Sequence, residues 1–289
     1  MKAFIFFISY FLLASALAAL ISTPLFQLAG NDDFRFESWV TRFALIFLIL
    51  GLIPCFKLFN LSLKSIGHNI VFIDNVKKIS LGFLAGLLIL SIVLLCLLQL
   101  DVRTIDHDSS LSIALIIKAL VAGLIVALIE ETLFRGLFFK LSLRWHNAFT
   151  AILLSSFFYA ILHFIKPIVH IDQTKLHSFS GFEVIANAFM ATTSLNPADL
   201  LALFMVGCLL AVVRFKTQCL SYCIGLHASW VFLIKICKDL TDSNTGSQWS
   251  FLVGNYDGII GWLCFGWLSL CTISYVIFII KPSKASLFN

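Results

Sequence analysis

Charged residues are scarce in this chain. Of its 289 residues only 12% are Asp, Glu, Lys or Arg, whereas 60% are hydrophobic, and the mean hydropathy is +1.01. A soluble domain carries about 25% charged and about 45–50% apolar residues. The deficit excludes an ordinary soluble protein. Because the surplus apolar surface has to contact lipid, the sequence predicts a membrane protein.

Several common kinds of site are also absent from the sequence. No Ser or Cys has the sequence context of an activated nucleophile, and there is no His-Glu-x-x-His pair of the common zinc helix. The eight cysteines lie almost entirely in apolar stretches, where cysteine packs as a small hydrophobic residue, so we expect no disulfide framework. One pattern stays open, because Cys219, Cys223 and His227 repeat every four residues and that spacing suits either helix packing or a metal.

Long apolar runs define the architecture. A helix needs about 20 mostly apolar residues to cross a bilayer, so we predict an all-α, polytopic transmembrane helical bundle of about eight spans. The runs are residues 3–28, 43–59, 79–100, 112–139, 148–166, 198–214, 219–236 and 258–280. The second, fifth, sixth and seventh are short for a span. Seven later spans favour an uncleaved first helix over a signal peptide.

The positions of Lys and Arg predict the orientation. With the N-terminus inside, eleven of them fall in inner segments and seven in outer segments, a bias of the expected sign. The eleven are Lys2, Lys57, Lys64, Lys77, Lys78, Lys140, Arg144, Arg214, Lys216, Lys281 and Lys284. Acids such as Asp32 and Asp33 fall almost entirely on the other side. Both termini are then cytoplasmic in a multi-pass protein of the cell inner (plasma) membrane, with the lipid bilayer and no nucleic acid as partner.

Two stretches between spans are long enough to have structure of their own. Residues 60–78 mix apolar side chains with Lys and His, which predicts an interfacial helix on the inner side. Residues 167–197 predict a mixed polar and apolar outer loop between two prolines.

The fourth span contains charges that a spanning helix normally lacks. Glu130, Glu131 and Arg135 lie in the run Leu-Ile-Glu-Glu-Thr-Leu-Phe-Arg-Gly. Each such residue costs about 2.5–3.5 kcal/mol at the bilayer centre, so ionisable residues there indicate a functional site. Glu131 and Arg135 are four apart in the favourable order and can pair. Glu130 is rotated about 100° away and is free to act as a general base, a general acid or a metal ligand.

Two histidines lie in other predicted spans. His163 and His227 are each surrounded by apolar residues, and one buried histidine alone is most often structural. Together with Glu130 they predict a polar site shared by three spans. One carboxylate and two imidazoles can activate water and stabilise an oxyanion, or can hold zinc with a position open for water.

Three ordered motifs resemble those of one family, the bacterial and archaeal relatives of the type II prenyl-protein (CAAX) proteases, known as the CPBP or Abi group. The motifs are Glu-Glu-x-x-x-Arg, Phe-x-x-x-His and His-x-x-x-Asn. The matching residues are Glu130, Glu131, Arg135, Tyr159, His163, His227 and Val231. The resemblance runs from residue 112 to 236, and the stretch from Gly254 to Gly261 is also similar. It implies a catalytic core over residues 111–281, with residues 1–110 as N-terminal transmembrane helices and an interfacial segment.

The resemblance also implies an activity, that of a CAAX prenyl protease 2-like intramembrane endopeptidase, either glutamate- or metal-dependent. Its substrate is expected to be a membrane-associated protein or peptide. Glu130 and His163 would activate the attacking water, and His227 would stabilise the oxyanion. The same three residues would hold a metal, expected to be zinc, if one is used, and otherwise no cofactor is expected. The remaining matched residues, Glu131, Arg135 and Tyr159, would form a supporting ion pair or contact the substrate.

Two departures from the motifs affect this expectation. Tyr159 in place of Phe keeps the ring and adds a hydroxyl group. Val231 in place of Asn can neither donate a hydrogen bond nor bind a metal, and an oxyanion donor is typically worth about 2.7–4 kcal/mol. Ser229 or Tyr159 could replace it as the donor.

Two other classes of function stay open. The valine favours a catalytically weak or inactive membrane scaffold or immunity-type protein of the same fold. Buried Glu and His also occur in transporters and proton relays. The paired repeats and broken helices typical of transporters are not evident in the sequence.

Overall fold

Apolar helices make up most of the described chain, which confirms the predicted fold class. The computed structural model describes residues 1–30, 34–68 and 71–280, without the side chains of 279 and 280. The helices are α1 (Lys2–Ala29), α2 (Phe36–Leu50), α3 (Leu52–Leu58), α4 (Phe72–Gln99), α5 (Ile113–Glu131), a π-helix (Thr132–Phe138), α6 (Phe139–Trp145), α7 (Ala148–Leu162), α8 (Ser180–Met190), α9 (Pro197–Thr217), α10 (Leu220–Leu240) and α11 (Trp262–Ile280). A short antiparallel ribbon pairs β1 (Arg103–Ile105) with β2 (Thr241–Ser243).

Eight apolar helical segments correspond to the eight predicted spans. Six of those in the described residues are long and apolar enough to cross a membrane: Lys2–Ala29, Phe36–Leu58, Phe72–Gln99, Ile113–Trp145, Pro197–Thr217 and Leu220–Leu240. Two are shorter, Ala148–Leu162 and Trp262–Phe278. The second, sixth and seventh spans are longer than predicted because their end turns contain polar residues that hydropathy excludes, such as Glu37 and Lys238. The predicted orientation rests partly on Asp32, Asp33, Lys281 and Lys284, which lie outside the described residues.

Helix α10 is the central helix of the bundle, and it packs closely against α4 and α5. A Cβ atom on Gly82 of α4 would overlap the carbonyl of Tyr222, and one on Gly225 of α10 would overlap the carbonyl of Ile79. A Cβ on Gly123 of α5 would lie 2.6 Å from the carbonyl oxygen of Ala228. Small residues of this kind let helix backbones approach each other in membrane proteins. The three helices therefore form a tightly packed frame.

The interfacial helix predicted over residues 60–78 is wrong in its first half, and its second half is the start of a long apolar helix. Residues 61–68 form turns, while Phe72 begins α4. Ser62 and Ser65 each accept a hydrogen bond from the other's backbone N–H, which competes with helical hydrogen bonding. Gly67 adopts a φ of +104°, a conformation that ends any local helix. Residue 70, one of the apolar positions of the pattern, lies outside the described residues.

The predicted loop over residues 167–197 contains a helix, α8. Gly181 of α8 packs directly against the carbonyl of Ala19 in α1. Val184 shares a buried cluster with Phe36 and Val40 of α2. This segment therefore covers α1 and α2, and one cavity of the candidate site lies beside it.

Candidate active site

The two adjacent acids lie where the helix changes its geometry. The sequence predicts an uninterrupted span over residues 112–139, but α5 ends at Glu131 and a π-helix follows over Thr132–Phe138. A π-helical segment inside an α-helix is rare and frequently marks a functional site. Arg135 of the π-helix still contacts Glu131, with Nη1 3.2 Å from Oε1. The change of geometry therefore keeps the predicted ion pair.

A short turn brings Glu130 and His163 to the same depth. Helix α6 ends at Trp145 and α7 begins at Ala148, so the two helices form a hairpin. Glu130 precedes Trp145 by the same number of residues as His163 follows Ala148. Equal numbers of residues at a similar rise place the two side chains at one level of the bundle.

Glu130 faces both histidines. Its Oε2 atom lies 3.7 Å from Nε2 of His163 and 3.8 Å from Nε2 of His227. Both distances are too long for direct hydrogen bonds, whose donor and acceptor lie about 2.7–3.2 Å apart. This oxygen is buried and has no hydrogen-bond partner among the described residues. The structure thus brings the three predicted residues together around one unpartnered carboxylate oxygen.

The other ring nitrogen of each imidazole, Nδ1, forms a hydrogen bond with an oxygen atom. His163 Nδ1 lies 2.7 Å from the backbone oxygen of Tyr159, and His227 Nδ1 lies 2.9 Å from Oε1 of Glu131. A carbonyl or carboxylate oxygen only accepts, so Nδ1 is the donor in both rings. In the neutral rings Nε2 is therefore an acceptor, and both Nε2 atoms face Glu130.

Glu131, Arg135 and Tyr159 form a buried layer behind the histidines. The side chains of Glu131 and Arg135 are fully buried, and neither lines a cavity of the described structure. The Arg135 guanidinium lies 4.2 Å from the ring centroid of Tyr159 and donates to the carbonyl of Gly207. Because these contacts fix the Tyr159 ring and the His227 imidazole, the layer orients the side chains that face the cavity.

Two cavities meet at Glu130. The first, of about 600 Å³, we call the lysine cavity because Lys166, Lys235 and Lys238 line it, together with Asp239 and Asp257. The second, of about 350 Å³, we call the apolar cavity. It is lined mainly by apolar residues of α1, α2, α5, α8 and the π-helix. Glu130, His163 and Tyr256 line both. The carboxylate thus lies at the junction of a cavity with several charged residues in its wall and a cavity that is mainly apolar.

Ser229 and Tyr159, the two residues expected to replace the missing Asn as a donor, lie in different positions relative to the cavity. Val231 lines the lysine cavity, so the absent polar group would have faced the site. Ser229 does not line either cavity, because its hydroxyl donates to the carbonyl of Leu226 and lies against Gly86 of α4. Tyr159 does line the lysine cavity. Ser229 is thus in the wrong place to replace the Asn.

Sequence reasoning did not identify Tyr256 or Asp199. Tyr256 lies in the loop of residues 253–261, and Asp199 in the first turn of α9 accepts hydrogen bonds from the backbone of that loop. The only signal was the resemblance of the stretch from Gly254 to Gly261. Nothing in local spacing indicates that this stretch closes over Glu130, since the contact depends on how α9 and α11 pack.

Glu130, His163 and His227 have side chains of the types that bind a metal, but their positions do not match those of metal ligands. A carboxylate and two imidazoles are normal zinc ligands, but two ligands of a tetrahedral zinc lie about 3.3 Å apart when each bond is about 2.0–2.1 Å. The separations from Glu130 are 3.7 and 3.8 Å, and no group of three or more metal-binding side chains is found in the described residues. Cys219, Cys223 and His227 form no such group either. As placed, the three residues do not form a closed metal site.

Comparison with known proteins agrees with the motifs. Residues 112–233 match the family described as Type II CAAX prenyl endopeptidase Rce1-like. The matched segment contains every residue of the three motifs, from Glu130 to Val231. No curated protein and no solved structure matches the chain. Residues 112–233 are thus similar to the Rce1-like family of type II CAAX prenyl endopeptidases, and this match supports a CAAX-type intramembrane protease kind of function.

Proposed function

We propose that this protein hydrolyses a peptide bond of a membrane-associated protein or peptide, with Glu130 as the base that activates water. One observation carries the proposal. Among the described residues the buried Oε2 atom of Glu130 has no hydrogen-bond partner; it faces two imidazole acceptors and lies where the two cavities meet. A buried carboxylate oxygen without a partner is unfavourable, and its retention is explained by a task that a satisfied oxygen could not perform.

The reaction begins with a water molecule beside Glu130 and His163. Water can donate one hydrogen to Oε2 of Glu130 and the other to Nε2 of His163, since both atoms are acceptors. Glu130 takes a proton as the water oxygen bonds to the scissile carbonyl carbon, and the carbonyl π electrons move onto its oxygen. General base catalysis of this kind contributes about 10²–10⁴-fold in rate.

Collapse of the tetrahedral intermediate completes the reaction. The carbonyl re-forms as the C–N bond breaks, and the amine nitrogen takes the proton held by Glu130. The products are an amine and a carboxylic acid, which becomes a carboxylate by giving its proton to the Glu130 carboxylate or to water. His227 can stabilise the oxyanion only when its Nε2 carries a proton, because Nδ1 is already committed to Glu131.

The two cavities favour a substrate with one apolar and one polar side. The apolar cavity lies between helices of the predicted membrane-spanning bundle and suits the membrane-embedded part of a substrate. The lysine cavity suits the polar part beyond the scissile bond, with three ammonium groups available for acidic groups or a terminal carboxylate. This arrangement is expected of a multi-pass protein of the plasma membrane that acts on membrane-associated chains.

The proposal is tested by comparing protein termini in cells. A strain that lacks the protein is complemented with wild type, with Glu130→Gln or with an empty vector, and the termini of all membrane proteins are compared. We expect at least one terminus that is present only with wild type. Identical sets of termini in all three strains would contradict proteolysis.

A second candidate function is a non-catalytic scaffold or immunity-type role, which the apolar Val231 in the cavity wall favours. Under that alternative, cells that express Glu130→Gln, His163→Ala or His227→Ala have the same phenotype as cells that express the wild-type protein. Loss of the phenotype in all three, with normal membrane insertion, supports catalysis.

A further inference from the structure

While both imidazoles are neutral, the three motifs provide no hydrogen-bond donor for the oxyanion that forms in peptide hydrolysis. In the neutral rings the Nε2 atoms of His163 and His227 are acceptors, and Val231 has no polar group. Stabilisation of the oxyanion is usually among the largest contributions to acyl-transfer catalysis. Another side chain at the cavity is therefore expected to donate to the developing oxyanion, and this expectation rests on the proposed function.

Tyr256 has the right position and a free hydroxyl. It is one of three residues that line both cavities, together with Glu130 and His163. Its ring centroid lies 6.1 Å from that of His163 and 5.5 Å from that of Phe164, and Lys166 Nζ lies 4.9 Å from the ring centroid. The Tyr256 hydroxyl has no hydrogen-bond partner among the described residues, so it is available to a substrate.

The backbone under Tyr256 is held by a buried carboxylate. Oδ2 of Asp199 accepts hydrogen bonds from the backbone N–H groups of Asn255 at 2.9 Å and Tyr256 at 3.1 Å. Asp199 is only 1% exposed, and Gly254 packs so closely against it that a Cβ would overlap its carboxylate. Burying a carboxylate is costly unless its hydrogen bonds are needed to fix a structure. These contacts fix the position from which the tyrosine ring enters the cavity.

The other end of the loop is held in a similar way. Asp257 Oδ1 accepts from the backbone N–H groups of Ile259 and Ile260, at 2.9 and 2.8 Å. Gly258 has a φ of +74°, which a glycine adopts without strain. Two carboxylates and one glycine thus define the conformation of a loop that contains no helix or strand over residues 253–261.

The phenol of Tyr256 remains protonated at neutral pH. Burial, and then the neighbouring Asp257 carboxylate, raise the pKa of Tyr256 to about 12. The group therefore acts as a hydrogen-bond donor and not as a base near neutral pH. Tyr159, the other tyrosine at the site, lines only the lysine cavity, whereas Tyr256 lies at the junction of the two cavities.

We propose that the Tyr256 hydroxyl is the oxyanion donor of this site, in the role that Val231 cannot fill. As the oxygen of water bonds to the carbonyl carbon, the Tyr256 O–H donates a hydrogen bond to the carbonyl oxygen that gains the electron pair. Tyr256 keeps its proton throughout, since Glu130 carries the transferred one. Asp199 is a positioning residue that holds the loop for this contact.

The test measures peptide cleavage by full-length Tyr256→Phe and Tyr275→Phe proteins in proteoliposomes. The substrate is a peptide that spans the cleavage site identified by the comparison of protein termini in cells. Tyr275 lies on α11 and lines neither cavity, so Tyr275→Phe is the matched control. We expect Tyr256→Phe to lower kcat about 100-fold or more, as for loss of one oxyanion donor, with KM within about twofold. A kcat within about threefold of wild type overturns the proposal, and so does a loss that lies entirely in KM.

A rescue experiment excludes a merely structural role for the ring. Val231→Asn adds a donor to the same cavity, so it should restore kcat about tenfold or more in the Tyr256→Phe background. If kcat falls tenfold in Tyr159→Phe and does not fall in Tyr256→Phe, the donor is Tyr159 and the proposal is overturned. If Glu130→Gln is inactive while Tyr256→Phe is fully active, this inference fails and the proposed function stands. Full activity in Glu130→Gln would instead contradict the proposed function itself.

Discussion

The Nδ1 atom of His227 lies 2.9 Å from Oε1 of Glu131, the same oxygen that lies 3.2 Å from Nη1 of Arg135. One carboxylate oxygen therefore serves both a histidine of α10 and an arginine of the π-helix. The adjacent Glu130 makes neither contact and is left facing the cavity. Two neighbouring residues of identical chemistry thus differ in role because the helix directs them to opposite sides of the His227 ring.

Glu131→Gln tests the structural role of the buried acid. Removing the charge leaves the Arg135 guanidinium buried without a counter-charge, a change that typically costs about 3–5 kcal/mol. We expect a clearly lower unfolding temperature in detergent, together with a lower kcat because the His227 ring is less well oriented. Glu183→Gln is the control, since Glu183 is half-exposed on α8. Equal unfolding temperatures for the two variants would contradict a stabilising role of the buried Glu131–Arg135 ion pair.

Arg135→Lys tests whether the shape of the guanidinium matters as well as its charge. Lysine keeps the charge but loses the planar stack on the Tyr159 ring and the donor to the Gly207 carbonyl. A desolvated cation–π contact is worth about 2 kcal/mol. The unfolding temperature should fall, whereas Arg42→Lys, whose arginine is exposed beside Phe34, should leave it nearly unchanged. Similar small shifts of the unfolding temperature in both variants would contradict a stabilising contact between the Arg135 guanidinium and the Tyr159 ring.

Gly123→Ala tests the close packing that holds α5 against α10. The added methyl group would lie 2.6 Å from the carbonyl oxygen of Ala228, next to His227. Overpacking typically costs about 1–3 kcal/mol, and a shift of α5 would also move Glu130 relative to His227. We expect lower stability and lower kcat together, measured by thermal unfolding and peptide cleavage.

The matched control for that variant is Gly266→Ala on α11. No atom lies within 4 Å of a Cβ at this position, so alanine should be neutral or slightly stabilising. If Gly123→Ala behaves like Gly266→Ala, close contact between the two helices is not needed for the site.

Removal of metal ions tests whether water activation is carried by protein side chains. Because the Glu130–histidine separations are wider than those of a closed zinc site, we expect kcat to stay within about twofold after dialysis against EDTA. Metal analysis of the purified protein should show less than stoichiometric zinc. Loss of activity on chelation, with recovery on added Zn²⁺, would contradict a reaction based on Glu130 and water alone.

The parts of the fold that follow from local periodicity could be predicted from the sequence. Apolar runs indicated the eight helical segments, and ordered motifs indicated the family, because both depend on residues close together in the chain. The spacing of Glu131 and Arg135 likewise predicted their ion pair without reference to any other helix.

Features that depend on packing between helices could not be predicted. Apolar periodicity does not distinguish the π-helix after Glu131 from α-helix. The hydrogen bond from His227 to Glu131 needs the register of α10 against α5. The contact of Asp199 with the loop that contains Tyr256 joins residues more than fifty positions apart, so no local pattern indicates it.

The most direct test of the central claim is the single-turnover cleavage rate of Glu130→Gln in proteoliposomes, with Glu183→Gln as the control. Glutamine keeps the size of Glu130 but accepts no proton, so the rate should fall about 10²–10⁴-fold while the variant inserts and unfolds like wild type. The control should cleave at the wild-type rate. A Glu130→Gln protein that cleaves as fast as this control would contradict the assignment of Glu130 as the base.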